Sequence, residues 1–155
     1  MIAATDAVVA DFRSAAPLAT THTPGTMEFS SRQFADVTVA APVGRIDHAG
    51  AAVLEAALKP LLGLSAAGKN ALVLDFAGVE YISSVGLRVL MIAAKEMKGH
   101  GARIVVAGSQ PVVAEIFKIS RFDRVLELAP SARKAVEWLS QAALAAWLAA
   151  GTEAA

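Results

Sequence analysis

Cysteine is absent from the 155 residues. That removes any disulfide framework and any thiolate chemistry, and it is the usage expected of a cytoplasmic protein. Long hydrophobic runs are missing too. Apolar residues make up 55% of the chain, much of it alanine, yet no stretch reaches the roughly eighteen consecutive apolar residues of a membrane-spanning helix. The opening Met1-Ile2-Ala3-Ala4-Thr5-Asp6 has no basic region, and Asp6 and Asp11 interrupt the apolar residues around them, so no secretory signal is expected. Excess charge of either sign is also lacking. The formal net charge is zero, which gives a nucleic-acid surface no global electrostatic support.

Catalytic patterns are equally scarce. The three histidines, His22, His48 and His100, are widely separated and carry no metal-ligand spacing, so neither a metal nor a cofactor is expected. Residues 63 to 70, Gly-Leu-Ser-Ala-Ala-Gly-Lys-Asn, nearly spell a phosphate-binding loop. Asn70 stands where Ser or Thr is needed, and a helix precedes and a strand follows, the reverse of the required order. A helix end with Gly63 and Gly68 as terminators is the expected structure there. Ser84 lacks the Gly-x-Ser-x-Gly setting of a hydrolase nucleophile. Nothing marks the chain as an enzyme.

What is present centres on Leu72 to Lys98. Leu72-Val73-Leu74-Asp75-Phe76 is too short for a helix and reads as a buried strand. A turn at Ala77 to Glu80 leads through Tyr81-Ile82 to Ser83-Ser84-Val85-Gly86-Leu87-Arg88, which opens a helix reaching Lys98. Leu87, Leu90, Met91 and Ala94 share its apolar side, while Ser84, Arg88 and Lys95 face solvent. Ser83 and Ser84 thus sit where backbone N–H groups lack intrahelical partners. One hydroxyl can cap the helix. Equally, a phosphate on Ser84 would lie at the positive end of the helix dipole, one turn from Arg88. Spacing alone leaves both roles open.

The remainder reads as one domain, residues 27–140, preceded by a flexible extension over 1–26 and followed by an alanine-rich helical extension or tail over 141–155. Phe29–Phe34 and Val37–Val43 form a hairpin about Ala35-Asp36. Asp47 is placed to cap a helix over 49–62 whose stripe is Val53, Leu54, Ala57, Leu58 and Leu61, with Pro60 loosening its last turn. Arg103–Ala107 is a strand, and Pro111 opens a helix carrying Val112, Val113, Ile116 and Phe117. Arg124–Leu128 is a last short strand, and a helix with Ala132, Val136 and Leu139 inward closes the domain. Trp147, if exposed on the tail, would mark a docking patch; packing back is the plainer expectation. Asp75 is the carboxylate expected to orient the Ser84 turn. Basic residues outnumber acidic ones from Tyr81 to Arg124, a bias suited to solvated helix faces or an acidic partner.

The stretch Val73-Leu74-Asp75-Phe76 followed by Val79 to Leu90 resembles the signature of the STAS domain, and within it that of bacterial anti-sigma-factor antagonists. The likeness extends over about residues 27–140. It implies an α/β fold, a small mixed and mainly parallel sheet with about four helices largely on one side. It also implies that Ser84 is the phosphoacceptor of an anti-sigma serine kinase. Ser83 stands where the family has aspartate, Val85 where it has a second hydroxyl residue, and Gly86 and Leu87 match its Gly-Leu pair. Val43-Gly44-Arg45-Ile46-Asp47 is similar to the family's Gly-x-Leu-Asp element, which places Asp47 with Ser83, Gly86 and Arg88 in a partner-binding surface. The implied partners are the kinase and a phosphatase acting on phosphorylated Ser84. Two other roles stay open: an accessory subunit of a membrane transport or lipid-trafficking complex with no phospho-switch, and a small-molecule sensor or enzyme using a pocket near Asp75 and Tyr81.

Overall fold

A hairpin starts the described structure, which in this computed structural model comprises residues 27–68 and 71–151. The expected 1–26 extension lies outside the described residues. Strand β1 (Glu28–Phe34) pairs antiparallel with β2 (Val37–Ile46), Phe34 opposite Val37. The tight connection puts Ala35 in the left-handed region at φ 54°. Helix α1 (His48–Gly68) returns the chain to β3 (Ala71–Asp75), β4 (Val79–Ile82) follows, and α2 (Ser84–Gly99) leads to β5 (Ile104–Ala107). Helix α3 (Pro111–Ile119), a single 3₁₀ turn at Phe122–Arg124, β6 (Glu127–Ala129), α4 (Ala132–Leu139) and α5 (Gln141–Ala149) complete the order.

The sheet runs β1-β2-β3-β5-β6, and every pairing after the hairpin is parallel. β2 serves two neighbours. Its first half pairs with β3, Val37 to Ala40 against Ala71 to Leu74. Beyond an irregularity at Gly44/Arg45, its end pairs with β4, with Ile46 opposite Ile82.

Central strands with both faces covered read as continuous apolar runs, successive side chains going to opposite sides. Leu72 and Leu74 of β3 pack with Leu54 and Leu58 of α1, Leu90 and Met97 of α2, and Phe117 of α3. Val73 between them joins Val37, Val105, Ala135, Val136 and Trp147 on the other face. Helices α1, α2 and α3 therefore cover one face, and α4 and α5 the other.

Three local expectations are corrected. Helix α1 does not stop near residue 62; it passes Pro60 and Gly63 to Gly68. Gly63 is exposed, and a Cβ there would meet nothing, so it weakens the helix without ending it. The buried stripe is rotated: Ala51, Leu54, Leu58, Leu61 and Leu62 are inside, while Val53 is exposed. Val112 likewise lies outside, with Val113 and Phe117 carrying the contact of α3.

The alanine-rich C-terminal stretch is a separate helix that packs back. Ser140 ends α4 in an extended conformation, and its Oγ accepts from the Ala143 N–H at 3.1 Å to start α5. The same hydroxyl donates to Asp36 Oδ1 at 2.6 Å, tying the break to the hairpin turn. Trp147 then reaches Phe34, ring centres 5.2 Å apart, and is 2% exposed. Trp147 is therefore not the docking residue that exposure would have made it.

Candidate functional site

The site lies where β2 and β4 end side by side and each feeds a helix. Ile46 is paired with Ile82, and the Ser83 N–H donates to the Ile46 carbonyl at 2.9 Å. Asp47 and Ser83, one residue further along each strand, are consequently neighbours. Both are helix caps. Asp47 Oδ1 accepts from the Gly50 N–H at 2.8 Å, and Ser83 Oγ accepts from the Gly86 N–H at 3.1 Å. Each satisfies one of the donors that a helix start leaves without a partner.

Two glycines set how closely these helices sit on the strands. A Cβ on Gly86 would lie 2.7 Å from Ile46 Cγ2 and 2.8 Å from Ile82 Cγ1. One on Gly50 would lie 2.4 Å from the Arg45 carbonyl oxygen. Sequence reading singled out Gly86 but not Gly50, whose only signal was its place three residues beyond Asp47.

The two serines take different parts. Ser83 is half-buried and its hydroxyl is engaged in the cap; Ser84, the first residue of α2, is exposed and its hydroxyl makes no hydrogen bond among the described residues. Arg88 is exposed one turn further along and forms no ion pair among the described residues. Val85 and Ile92 add exposed apolar surface on the same helix, 39% and 48% accessible. Sequence reasoning missed Arg45, whose guanidinium lies 4.6 Å from the centre of the Tyr81 ring on the paired strand. The stack extends the site along the β2–β4 edge.

Asp75 is not engaged with this turn. Its Oδ1 accepts from the Ala77 N–H at 3.1 Å and so holds the turn that precedes β4. Gln110 Nε2 donates to the Ala77 carbonyl at 2.8 Å, bracing that turn from the start of α3. Burial pushes the Asp75 carboxyl above the ordinary aspartate value, and the Ala77 N–H draws it partly back. Among the described residues no cluster of three or more His, Asp or Glu side chains is arranged to hold a metal ion.

The family model described as Mlab, STAS domain, matches residues 28–129. The chain belongs to the STAS domain family. This STAS domain is 31% identical over 105 residues, 68% of its length, to the anti-sigma factor antagonist-named protein BtrV of Bordetella bronchiseptica, of which it covers 88%. An anti-sigma factor antagonist from Mycobacterium paratuberculosis superposes with a TM-score of 0.67 at 24% identity, over 76% of this chain and 97% of that one. Unphosphorylated SpoIIAA, also an anti-sigma factor antagonist, superposes with a TM-score of 0.60 at 15% identity, over 71% and 94%. These structural likenesses establish the fold. No helix among the described residues is long and apolar enough to cross a membrane.

Proposed function

We propose that this STAS domain is an anti-sigma factor antagonist whose binding to an anti-sigma serine kinase is switched at Ser84. The observation that carries the reading is the division of labour between the adjacent serines. Ser83 caps the helix, which leaves the Ser84 hydroxyl exposed and unbonded. A kinase can take the proton and transfer a phosphoryl group without first breaking a structural contact.

Unphosphorylated, the domain offers Asp47, Ser83, Ser84 and Arg88 to the kinase, with Val85 as the apolar part; Gly86, expected at this surface, is buried beneath it and serves by letting α2 sit close on Ile46 and Ile82. The antagonist occupies the kinase and thereby frees a sigma factor. Phosphorylation places nearly two negative charges at the centre of that surface. Desolvating them in the interface costs more than Arg88 returns, and the complex parts. A phosphatase restores the binding form. The names of relatives such as BtrV support the regulatory role.

The test is intact-mass spectrometry after incubation with ATP and the anti-sigma-type kinases of the same cell, wild type beside Ser84→Ala. One phosphate on wild type and none on the variant is the expected result. Ser84→Asp should weaken kinase binding by about tenfold or more, which corresponds to about 1.4 kcal/mol. Equal affinity for the kinase would remove the switch. Recovery of transporter subunits in place of a kinase would assign the domain to a membrane transport complex instead.

A further inference from the structure

We propose a second docking surface, separate from Ser84, formed by the turn that ends α3 and built for an acidic, apolar-bearing protein segment. Helix α3 starts beyond the C-terminal end of β5 and runs back along the sheet, so residues 118–126 lie at the opposite strand edge from the start of α2. There Ile119 is 72% accessible, the largest value among the exposed large apolar side chains, and Val125 is 48% accessible. Lys118, Arg121 and Arg124 flank them in sequence, all exposed. None of the three forms an ion pair among the described residues. Arg103, on the same edge, is already engaged by Glu127 through a bond of 3.0 Å. Asp123 and Glu115 are the nearby acids in sequence, and neither is paired with these cations.

Arg121 is the telling residue. It occupies the left-handed position just after the helix, φ 64° and ψ 26°, where glycine fits without strain. Its backbone N–H reaches the Lys118 carbonyl and its carbonyl accepts from the Arg124 N–H at 3.1 Å. Those bonds need no side chain. The guanidinium is thus exposed on a backbone it strains, beside exposed apolar residues in sequence, with no partner among the described residues. Two of the three cations are arginines, whose planar fork matches a carboxylate. Three cations with Asp123 among them fall short of the four to eight that typify an anionic membrane site, which favours a protein segment.

The full chain, labelled with ¹⁵N, is titrated with a peptide of alternating glutamate and leucine. Saturable shifts confined to residues 118–125, weakened severalfold by added salt and unchanged in Ser84→Asp, are expected. Arg121→Gly relieves the backbone and should keep or raise the melting temperature while lowering peptide affinity severalfold. Lys118→Glu with Arg124→Glu should abolish binding. Undiminished affinity in these variants, shifts elsewhere, or no shifts at millimolar peptide would overturn the proposal. So would sedimentation with phosphatidylserine-containing vesicles in the absence of peptide binding, which would make the patch a lipid surface.

Discussion

Asp47 and Ser83 are the same device used twice: each ends one of two paired parallel strands, and each caps the helix that follows. Asp47 Oδ1 meets the Gly50 N–H at 2.8 Å and Ser83 Oγ meets the Gly86 N–H at 3.1 Å. Asp47→Ala should cost about 1 kcal/mol in urea unfolding, the ordinary worth of a cap. Asp47→Asn keeps the acceptor and should lose far less stability. If the Asn variant binds the kinase less well while remaining folded, Asp47 acts as a contact as well as a cap; unchanged affinity would leave it structural.

Gly86→Ala probes how tightly α2 sits on the strands. The added methyl meets Ile46 and Ile82 inside 3 Å, so a shift of the helix start is required. Overpacking of this kind costs about 1–3 kcal/mol. Chemical denaturation with an unchanged dependence on denaturant is the check, and a loss within error of zero would show that the helix start gives way freely.

The hairpin, the central strands, the cap at Asp47, a serine cap at the start of α2 and the exposure of Ser84 and Arg88 were legible because each rests on a short-range rule; which serine caps was not. Short apolar runs marked the strands, and the serine pair fell where a helix must open. What escaped was set by distant neighbours. Alanine blurs the apolar stripe of α1, so Val53 and Leu62 cannot be told apart until the sheet chooses a side. Gly63 reads as a terminator, yet nothing in space uses it as one. The sequence also hides that Asp75 answers to Ala77, a neighbour two residues away, rather than to the serines across the turn.

Asp75 makes the pH dependence predictable. Its carboxyl is raised chiefly by burial, so the folded protein holds the proton more tightly than the unfolded chain does. Stability should then fall as pH rises through the interval between the ordinary aspartate value and the raised one, because the native state there loses a proton it favours. Asp75→Asn preserves an acceptor for the Ala77 N–H and removes the charge. Unfolding free energies measured across mildly acidic to neutral pH should show this component vanish in the variant, with the variant the more stable at neutral pH. An unchanged pH profile would mean that other groups set it.

Trp147 anchors α5 on β1. Trp147→Ala should cost about 3–5 kcal/mol, as deletion of a large buried side chain does. Trp147→Phe should cost much less, since the contact with Phe34 survives and a buried indole N–H without a partner among the described residues is removed. Thermal melts of the pair give the comparison, and equal losses would show that the indole is doing more than filling space.

Because Ser83 closes the start of α2, no described residue makes use of the hydroxyl next to it. Two helices begin at this edge, from adjacent parallel strands, with their positive ends together. A negative charge gained at Ser84 is welcomed by that field, and no bond is broken to accommodate it. The two forms of the protein would then share one shape, the phosphorylated one slightly the more stable, and differ chiefly to a partner that comes to read them.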